Sequence, residues 1–574
     1  MRLTKNAIAI LKERYLKVTN GIQETPEEMF QRVASNIAEI EERYGKDVSS
    51  ARESFLAIMR ELDFLPNSPT LMNAGRDLQQ LSACFVLPIE DSLESIFDTL
   101  KNAALIQKSG GGTGFSFSHI RPKNDLVKTT GGRASGPISF IKCYDAVTEA
   151  VKQGGVRRGA NMAILRVDHP DILEFIRAKA DTQEINNFNI SVALTDHFMK
   201  AVENNEDYPL INPATNQEVR KIKAKQVFDL IVEMAWQNGE PGIVFIDRMN
   251  EHNPTPKVGQ FEATNPCAEQ PLLAYESCNL GSINLANMVK SGSSGWEINW
   301  DKLESTIQVA VHFLDNVIDA NRYPLKEIEK MTKGNRKIGL GVMGFADLLI
   351  KLDIPYNSEE GVSLARTLMQ FIEAKAHQAS GFLAKERGVF PNYDQSVYPA
   401  KSKVMRNATV TTIAPTGTIS IIANCSGGIE PLFALAYTRR ALDDQVFYEV
   451  NPMLENFLRE KGLYVEELIT EIIRTGSLNN ELCRQRIPED IRKVFVTAHE
   501  ISPIWHVRMQ AAFQEFTDNA VSKTVNFPQE ATKDDVRQVF LEAYRNGCKG
   551  VTVYRSGSRP GQVLTVGCGE DCLL

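Results

Sequence analysis

The sequence has no long hydrophobic run and no excess of positive charge. No stretch of about eighteen consecutive apolar residues occurs in its 574 residues, so no membrane span is predicted. The N-terminus, MRLTKNAIAILKERYL, lacks the uninterrupted apolar core and the cleavage site of a secretory signal. The formal net charge is -8, whereas a nucleic-acid polymer requires a basic surface. We therefore expect a cytoplasmic protein that binds neither membranes nor nucleic-acid polymers.

The sequence also lacks low-complexity linkers, internal repeats and the character of a secreted disulfide framework. Its nine cysteines lie in a long chain without a signal. In a reducing cytoplasm we expect most of them to be thiols, with any disulfide transient and chemical. The mild negative charge still allows a small anionic ligand such as a nucleotide, because backbone amides and a few Arg or Lys side chains suffice to hold it.

Helical patterns occupy the first 60 or so residues, and later helices alternate with short strands. A capping box at Thr25–Glu28, an apolar stripe over Leu303–Ile318 and a long pattern over Ser358–Gly388 predict helices. Strands are predicted over residues 242–246, 407–415 and 550–554. This alternation predicts an α/β architecture with parallel strands. We expect a helical segment over 1–65, one catalytic domain over 66–556 and a flexible tail over 557–574.

The motif NPCAEQ presents an amide, a thiol and a carboxylate within five positions. Pro266 favours extended geometry at Asn265, and alternate residues of an extended segment share one face. On this interpretation Asn265, Cys267 and Glu269 lie on a loop and point at one ligand. The alternative is a buried structural cysteine, and the same alternative holds for Cys84 in LSACFVLP.

Three further stretches carry chemistry, each with a plainer alternative. The glycines of KSGGGTGFSF allow close approach to a ligand or simply a tight turn, and no P-loop signature follows them. Hydroxyls in IAPTGTIS, where a strand precedes a helix, suit a phosphate, although ordinary capping explains any one of them. The terminal GCGEDC, with Cys568 and Cys572, suits a redox dithiol that swings elsewhere, or half of a zinc site.

Taken together, these stretches resemble the catalytic subunit of ribonucleotide reductases, most closely the adenosylcobalamin-dependent class. The most specific motifs are NPCAEQ with ESCNLGSINL, NRKIGLGVMGFADLL, IAPTGTIS and FTDNAVSKTVNFP, and the similarity covers nearly the whole chain. The resemblance implies a ten-stranded α/β barrel whose central finger loop carries the radical cysteine. It also implies a homodimer that reduces ribonucleoside di- or triphosphates.

The resemblance assigns roles to five central residues. Cys267 is the expected thiyl radical that abstracts the ribose 3′ hydrogen, Glu269 the base toward the 3′-hydroxyl, and Asn265 a substrate ligand. Cys84 and Cys278 are the expected dithiol that supplies two electrons by closing to a disulfide.

Further residues are carried over by motif position. Cys568 and Cys572 are expected to reduce the disulfide by exchange, and thioredoxin or a similar protein to regenerate them. The expected substrate contacts are Ser68, Gly112, Pro415, Thr416, Gly417, Thr418, Ile419 and Ser420. Deoxynucleoside triphosphate effectors are expected at Asp91, Arg121, Gln153 and Arg157. Asp91 has an alternative, because DSLE is also a capping box at a helix start.

The radical source is inferred by elimination among the classes that share this chemistry. A relay from a separate metal subunit needs two consecutive tyrosines near the C-terminus, whereas GVTVYRSG has only Tyr554. No glycyl-radical motif is present, which leaves adenosylcobalamin and no protein-ligated metal. The N-terminus is too short for an ATP-cone domain, so we expect no overall on/off control there. The alternatives are the large subunit of a metal-subunit-dependent reductase, or a catalytically silent nucleotide-binding regulator.

Overall fold

Strands and helices alternate along most of the chain. The computed structural model describes residues 3–19, 21–127, 131–152, 159–181, 183–293, 295–441 and 445–558. The strands are β1 (Val18–Thr19), β2 (Ile22–Gln23), β3 (Phe64–Pro66), β4 (Cys84–Leu87), β5 (Gly112–Ser116), β6 (Asn161–Arg166), β7 (Phe188–Leu194), β8 (Asp207–Asn212), β9 (Gln217–Lys223), β10 (Gly242–Phe245), β11 (Ala263–Thr264), β12 (Pro271–Leu272), β13 (Ser277–Asn284), β14 (Val289–Ser291), β15 (Trp296–Ile298), β16 (Ile338–Met343), β17 (Ala436–Ala441), β18 (Gln445–Val450), β19 (Thr524–Phe527) and β20 (Gly550–Arg555).

The α-helices surround these strands and build the N-terminal segment. They are α1 (Lys5–Arg14), α2 (Pro26–Ala38), α3 (Val48–Arg60), α4 (Ser68–Asn73), α5 (Leu93–Lys108), α6 (Pro137–Lys152), α7 (Ile172–Ile176), α8 (Asp196–Glu203), α9 (Ala224–Asn238), α10 (Ile246–Glu251), α11 (Trp300–Ala320), α12 (Lys326–Asn335), α13 (Phe345–Lys351), α14 (Glu359–Arg387), α15 (Ile419–Ala423), α16 (Pro452–Glu460), α17 (Glu466–Thr475), α18 (Glu481–Arg486), α19 (Glu489–Val494), α20 (Pro503–Gln514) and α21 (Lys533–Arg545). Short 3-10 helices cover Glu39–Tyr44, Leu285–Asn287, Tyr393–Gln395 and Pro399–Lys401. None of the helices in these ranges is both long and apolar enough to cross a bilayer.

The main sheet consists of two halves, each built of parallel strands, and the halves join through antiparallel strand pairs. Its strand order is β16-β13-β4-β5-β6-β7-β10-β20-β19, with β3 paired to β13 off this path. Strands β4, β5, β6, β7 and β10 are parallel neighbours, and so are β13 with β16 and β19 with β20. The antiparallel junctions are β13 with β4 and β10 with β20.

The segment 409–413 closes this sheet into a ten-stranded barrel. On one side, the Leu340 amide donates to the Val410 carbonyl at 2.7 Å. On the other side, the Ile413 amide donates to the Ala520 carbonyl at 3.2 Å. The predicted strand over 407–415 is therefore an extended segment with isolated bridges at Thr411 and Ile413 rather than a regular strand. The expected α/β barrel is confirmed.

A carboxylate interrupts the regular ladder of the closing segment. Asp518 accepts the amide hydrogens of Val410 at 2.8 Å and Thr411 at 3.1 Å, and its own amide donates to the Thr411 hydroxyl at 2.9 Å. Since these amides bond to a side chain, they are withdrawn from strand pairing. The closing segment is thereby fixed by side-chain contacts as well as by backbone pairing.

The helix predictions from capping and periodicity are confirmed. Thr25 and Glu28 form a reciprocal capping box at the start of α2. Ser358 caps α14, and Gly388 ends it. The apolar stripe over Leu303–Ile318 lies within α11 and faces the largest core cluster. The strands predicted at 242–246 and 550–554 correspond to β10 and β20.

The glycine-rich strand β5 admits a hairpin formed by β11 and β12. A Cβ atom added to Gly114 would lie 1.7 Å from the Thr264 carbonyl oxygen, and one added to Gly112 would lie 3.1 Å from Pro266 Cγ. In β11 and β12, Ala263 pairs with Leu272. The missing side chains of Gly112 and Gly114 let the hairpin approach the barrel wall at backbone distance, while Gly110, with a φ of 87°, lies in the turn before β5.

Replacing Gly114 with alanine should displace the hairpin, because the new methyl group would overlap a backbone oxygen that cannot rotate away. We expect Gly114→Ala to lower the free energy of unfolding by about 1–3 kcal/mol or more. Gly259→Ala is the matched control, since its added Cβ meets only Leu273 side-chain atoms at 3.5–3.7 Å. Chemical denaturation of both variants tests this, and equal stability of the two would contradict the packing argument.

Candidate active site

The hairpin tip between β11 and β12 carries the NPCAEQ motif. Asn265 and Glu269 are each 2% exposed, whereas the Cys267 thiol is exposed. Ala268 has a φ of 62°, and its amide donates to the Asn265 carbonyl at 3.0 Å. The tip therefore turns, and the prediction that Asn265, Cys267 and Glu269 share one face of an extended segment is wrong. The turn buries the amide and the carboxylate and leaves the thiol at the surface of the tip.

Hydrogen bonds from distant parts of the barrel hold the tip. The Glu269 carbonyl accepts the Thr412 hydroxyl at 2.8 Å and the Ala520 amide at 3.0 Å. From the other half of the barrel, the Asn189 side chain donates to the Pro266 carbonyl at 2.8 Å. Both halves therefore position the Cys267 loop, and neither half alone fixes it.

Cys84 and Cys278 are direct cross-strand partners at the junction of the two halves. The register of β4 and β13 pairs Cys84 with Cys278. Such partners have Cα atoms about 4.5–5.5 Å apart, within the range that a disulfide spans. Cys84 is 4% exposed and Cys278 0% exposed. No disulfide joins the cysteines of the described ranges, so both are present as thiols that could close.

The catalytic candidates converge on the Cys84 sulfur. The Asn265 side-chain amide donates to Cys84 Sγ at 3.2 Å. Burial raises the pKa of the Cys84 thiol well above its ordinary value, and the nearby charges of Glu269, Cys278 and Cys267 raise this pKa further. Burial likewise raises the pKa of Cys278 well above its ordinary value. Both thiols are neutral hydrogen donors at neutral pH.

The loop after the closing segment is folded on itself. Thr416 has a φ of 55°, and its hydroxyl accepts the Gly428 amide at 2.7 Å. The amide of Ser420 donates to the Thr416 carbonyl at 2.9 Å, and α15 begins at Ile419. Gly417 stays exposed at the turn, with nothing within 4 Å of an added Cβ. This geometry presents the loop backbone to a ligand, with Pro415 and Thr418 half-buried beside it.

Ser68 lies close to β13, the strand that carries Cys278. It begins α4, and its hydroxyl is 2.7 Å from the Tyr15 hydroxyl. The neighbouring Asn67 amide donates to the Leu280 carbonyl at 2.8 Å, and Leu280 is two positions after Cys278 on β13. The structure therefore brings Ser68 to the same strand as one of the proposed reducing thiols.

The effector candidates Asp91 and Arg121 form an ion pair. Arg121 Nε donates to Asp91 Oδ2 at 2.7 Å, and the Arg121 amide donates to Oδ1 at 3.1 Å. The cap of α5 is Ser92, which accepts the Ser95 amide, so the interpretation of Asp91 as a capping residue is wrong. The other candidates of the predicted sites, Gln153, Arg157, Cys568 and Cys572, lie outside the described residues.

A buried ion pair beside Cys278 was not anticipated from the sequence. Lys337 Nζ donates to Glu276 Oε2 at 2.6 Å, and each side chain is 1% exposed. Glu276 also accepts the Leu273 amide at 2.7 Å and a short hydrogen bond from Asn335. Glu276 could have been found, because it is two positions before Cys278 and so shares its face of the chain. Lys337 could not have been found from the sequence, because it comes close to Cys278 only through the pairing of β13 with β16.

A second polar cluster lies on the outside of the closing segment. Potential ligand atoms of Glu373, His377 and Asp518 lie within 4.8 Å of one another. His377 Nε2 is 2.9 Å from Asp518, and Lys403 Nζ is 2.7 Å from His377 Nδ1. Both ring nitrogens are thus engaged by protein groups. The cluster fixes Asp518, which in turn holds the amides of the closing segment.

Two family models match the chain. The model described as "Ribonucleotide reductase, barrel domain" matches residues 82–405 and 399–554. The model described as "Ribonucleotide reductase, all-alpha domain" matches residues 1–79. Together they span both the N-terminal helices and the barrel described above.

Curated relatives and a solved structure are similar over most of the chain. A vitamin B12-dependent ribonucleoside-diphosphate reductase of Thermoplasma acidophilum is 49% identical, over 99% of this chain and 81% of its own length. A protein of the same name from Mycobacterium tuberculosis (strain ATCC 25618 / H37Rv) is 51% identical, over 100% of this chain and 80% of its own. The Actinobacillus ureae class Id ribonucleotide reductase alpha subunit shares the fold, with a TM-score of 0.80, 24% identity and 97% coverage of both chains.

Alkylation should distinguish the exposed thiol from the buried pair. An ordinary cysteine has a pKa of about 8.5. Because burial raises the pKa of Cys84 and Cys278 well above their ordinary value, their thiolates form only at higher pH. Near pH 8 we expect iodoacetamide to modify Cys267 at least about tenfold faster than either. Peptide mass spectrometry measures this, and the guanidinium-unfolded chain is the control, in which all three should react alike. Equal rates in the folded protein would contradict the assigned burial.

Proposed function

The chain belongs to the ribonucleotide reductase family, and we propose that it reduces ribonucleoside diphosphates to 2′-deoxyribonucleotides by radical chemistry at the hairpin tip. The observation that carries this proposal is the register that pairs Cys84 with Cys278 beside the tip residue Asn265. Such a pair is the two-electron source that removal of a 2′-hydroxyl requires. The diphosphate preference follows the names of relatives that are about half identical.

Cys267 is the residue proposed to carry the radical. It is exposed at the tip, while Asn265 and Glu269 on either side are buried. As a thiyl radical it would take the 3′ hydrogen of the ribose, and the Glu269 carboxylate would take the proton of the 3′-hydroxyl. The anchoring of the Glu269 carbonyl by Thr412 and Ala520 keeps this base in place during the transfer.

Cys84 and Cys278 are proposed to complete the reduction. Since the raised pKa keeps both thiols protonated, one of them can protonate the departing 2′-hydroxyl so that it leaves as water. The pair then supplies two electrons and closes to a disulfide, and the hydrogen first taken by Cys267 returns to C3′.

A dithiol protein of the thioredoxin type, acting through Cys568 and Cys572, is the proposed external reductant. This requires a reducing compartment, for which we propose the cytoplasm.

Adenosylcobalamin is the proposed cofactor. The relatives that are about half identical are named vitamin B12-dependent. The site fits such a group, because Cys267 is open to the surface whereas its partners are buried, so a cofactor seated over the tip can reach this thiol alone. When bound, adenosylcobalamin supplies a carbon-centred radical by homolysis of its cobalt–carbon bond. A relay of two tyrosines is disfavoured, because the residue before Tyr554 is the buried Val553.

The substrate phosphates are proposed to bind the 415–420 loop, and effectors a dimer interface near Asp91 and Arg121. In the loop, Thr416 braces the turn while Gly417 leaves the backbone open. At the effector site, the Asp91–Arg121 pair offers a ribose acceptor and a phosphate donor side by side. Gly112 is proposed to line the substrate side together with Ser68.

A homodimer through α5 is proposed from an exposed apolar stripe. Leu93, Phe97 and Leu105 are 63%, 49% and 47% exposed. Residues four or eight positions apart share one helix face, so the three form a stripe next to the Asp91–Arg121 pair. A second copy covering this stripe would remove its apolar surface from water.

The cofactor and the radical residue are tested together in one assay. The purified chain should form deoxynucleotides from ribonucleoside diphosphates and a dithiol only when adenosylcobalamin is added. Cys267→Ser should lower turnover at least about a thousandfold, because serine cannot carry the radical at the required energy. Cys143→Ser is the matched control, since Cys143 is also exposed but lies on α6, and it should keep full turnover.

Two outcomes would overturn parts of this proposal. Turnover that needs a second protein instead of the cofactor would favour the metal-subunit-dependent alternative. No turnover under any condition, with nucleotide binding intact, would favour the silent regulator.

The dimer is tested by placing charge on the apolar stripe. Phe97→Glu should shift the chain from dimer to monomer in sedimentation or light scattering, because a carboxylate cannot be buried in an apolar contact. Phe382→Glu is the matched control, since Phe382 is also 49% exposed but lies on α14. Loss of the dimer in the control, or its persistence in Phe97→Glu, would argue against α5 as the interface.

A further inference from the structure

Three inward-facing side chains form a row across adjacent strands at the redox pair. The strand order β16-β13-β4 places β13 in the middle. Cys278 on β13 pairs with Cys84 on β4. On the other side, Asn279 pairs with Ile338, so Lys337 lies beside Cys278 by the same parallel register. The order across the sheet is therefore Lys337, Cys278, Cys84.

The Lys337 ammonium lies inside the barrel rather than at its surface. Its Nζ is 4.6 Å from the centre of the Phe261 ring, and Phe261 belongs to the same interior cluster as Cys84 and Cys278. The ammonium is held there by Glu276, with which it forms the buried 2.6 Å ion pair. By the order across the sheet, the residue that carries this cation lies next to Cys278, and Cys278 separates it from Cys84.

The two sulfurs have different neighbours. Among the charged groups around Cys278, Lys337 favours its thiolate, while Glu276 and Glu269 oppose it. Around Cys84, the charges of Glu269, Cys278 and Cys267 oppose its thiolate, and the Asn265 amide favours it. In thiol–disulfide exchange, the sulfur that better carries negative charge is the better leaving group. Cys84 is also the more accessible of the two, at 4% against 0% exposure.

We propose that Lys337, held by Glu276, gives the Cys84–Cys278 disulfide a fixed polarity, so that an incoming thiol attacks Cys84 and Cys278 leaves. The inference rests on the proposed function, in which this disulfide forms at each turnover. The external thiolate bonds to Cys84 Sγ, the Cys84–Cys278 bond breaks, and its electron pair stays on Cys278 Sγ beside the ammonium. A second external thiol then attacks the mixed disulfide and releases Cys84, so the dithiol is oxidised and both cysteines regain protons. Lys337 acts here as a positioning residue, since it need not touch substrate.

The attacked sulfur can be identified in the unmodified protein. Diamide, which takes up two electrons and two protons, closes the disulfide without any turnover. Brief exposure to 2-mercaptoethanol, followed by a quench with iodoacetamide in guanidinium so that buried thiols also react, then labels the attacked and the leaving sulfur differently. Proteolysis after glutamate places Cys267 and Cys278 on separate peptides, because Glu269 and Glu276 lie between them. We expect mercaptoethanol on Cys84 and the alkyl group on Cys278 by at least about ten to one. A ratio near one, or a reversed ratio, overturns the proposal.

The role of Lys337 is tested by removing the ion pair as a unit. The double variant Lys337→Met, Glu276→Gln leaves no unpaired buried charge, and its labelling ratio should fall toward one. Lys337→Arg should keep the preference. The control pair Lys179→Met, Glu240→Gln removes another buried ion pair, with side chains 7% and 9% exposed, and should leave the ratio unchanged. An unchanged ratio in the Lys337 double variant overturns the role of Lys337, even when Cys84 is the attacked sulfur.

Deoxynucleotide formation and the identity of the attacked sulfur separate the proposed function from the proposed polarity. Absence of deoxynucleotide formation with adenosylcobalamin present contradicts the proposed function. Normal deoxynucleotide formation together with attack on Cys278 contradicts only the polarity.

Discussion

The site depends on one contact, which joins the backbone of the hairpin formed by β11 and β12 to the glycine-rich strand β5. Thr264 can lie against Gly114 only because no side chain intervenes, and this sets how far the hairpin enters the barrel. The Glu269 carbonyl is then tied to Thr412 and Ala520, so the depth of the hairpin and the position of the carboxylate are fixed together. With an ordinary side chain at position 114, the hairpin would enter the barrel less deeply, and Asn265, Cys267 and Glu269 would be displaced with it. Reactions of this kind need groups placed to within a fraction of an ångström.

Burial gives the interior a consistent electrostatic character. The thiols of Cys84 and Cys278 are neutral because charge is costly there, whereas the Lys337–Glu276 pair is tolerated because each ion is matched and hydrogen-bonded. Asp518 follows the same rule on the outer side: burial disfavours its charge, yet His377 and two backbone amides hold its pKa far below the ordinary value. In both clusters the buried charges are matched by partners that the fold holds in place. The Cys267 thiol, by contrast, is exposed, as the proposed reaction with a reagent from outside requires.

Local signals predicted the helices well. Thr25 with Glu28, and Ser358 with Gly388, are short-range patterns whose energetics do not depend on the rest of the fold. The conformation of the hairpin tip was not predicted, because the left-handed turn at Ala268 is held by contacts with Thr412 and Ala520, more than a hundred residues away. The closing segment was predicted as a strand, yet Asp518 takes its amides, a contact that no local pattern contains. The pairing of Cys84 with Cys278 came from family resemblance, and the geometry that supports it exists only in the register of two strands.

The antiparallel junction of the two half-barrels has a consequence for chain entropy. Cys84 belongs to one half and Cys278 to the other, so their disulfide would tie the halves across a loop of about 190 residues. Closing a loop of that length restricts the unfolded chain by an amount worth about 5 kcal/mol in the chain-entropy description. Each turnover would therefore convert a less stable reduced protein into a more stable oxidised one, and the reductant would return it to the less stable form. The oxidised form, which must be reduced before the next turnover, would therefore be the form that is more resistant to unfolding.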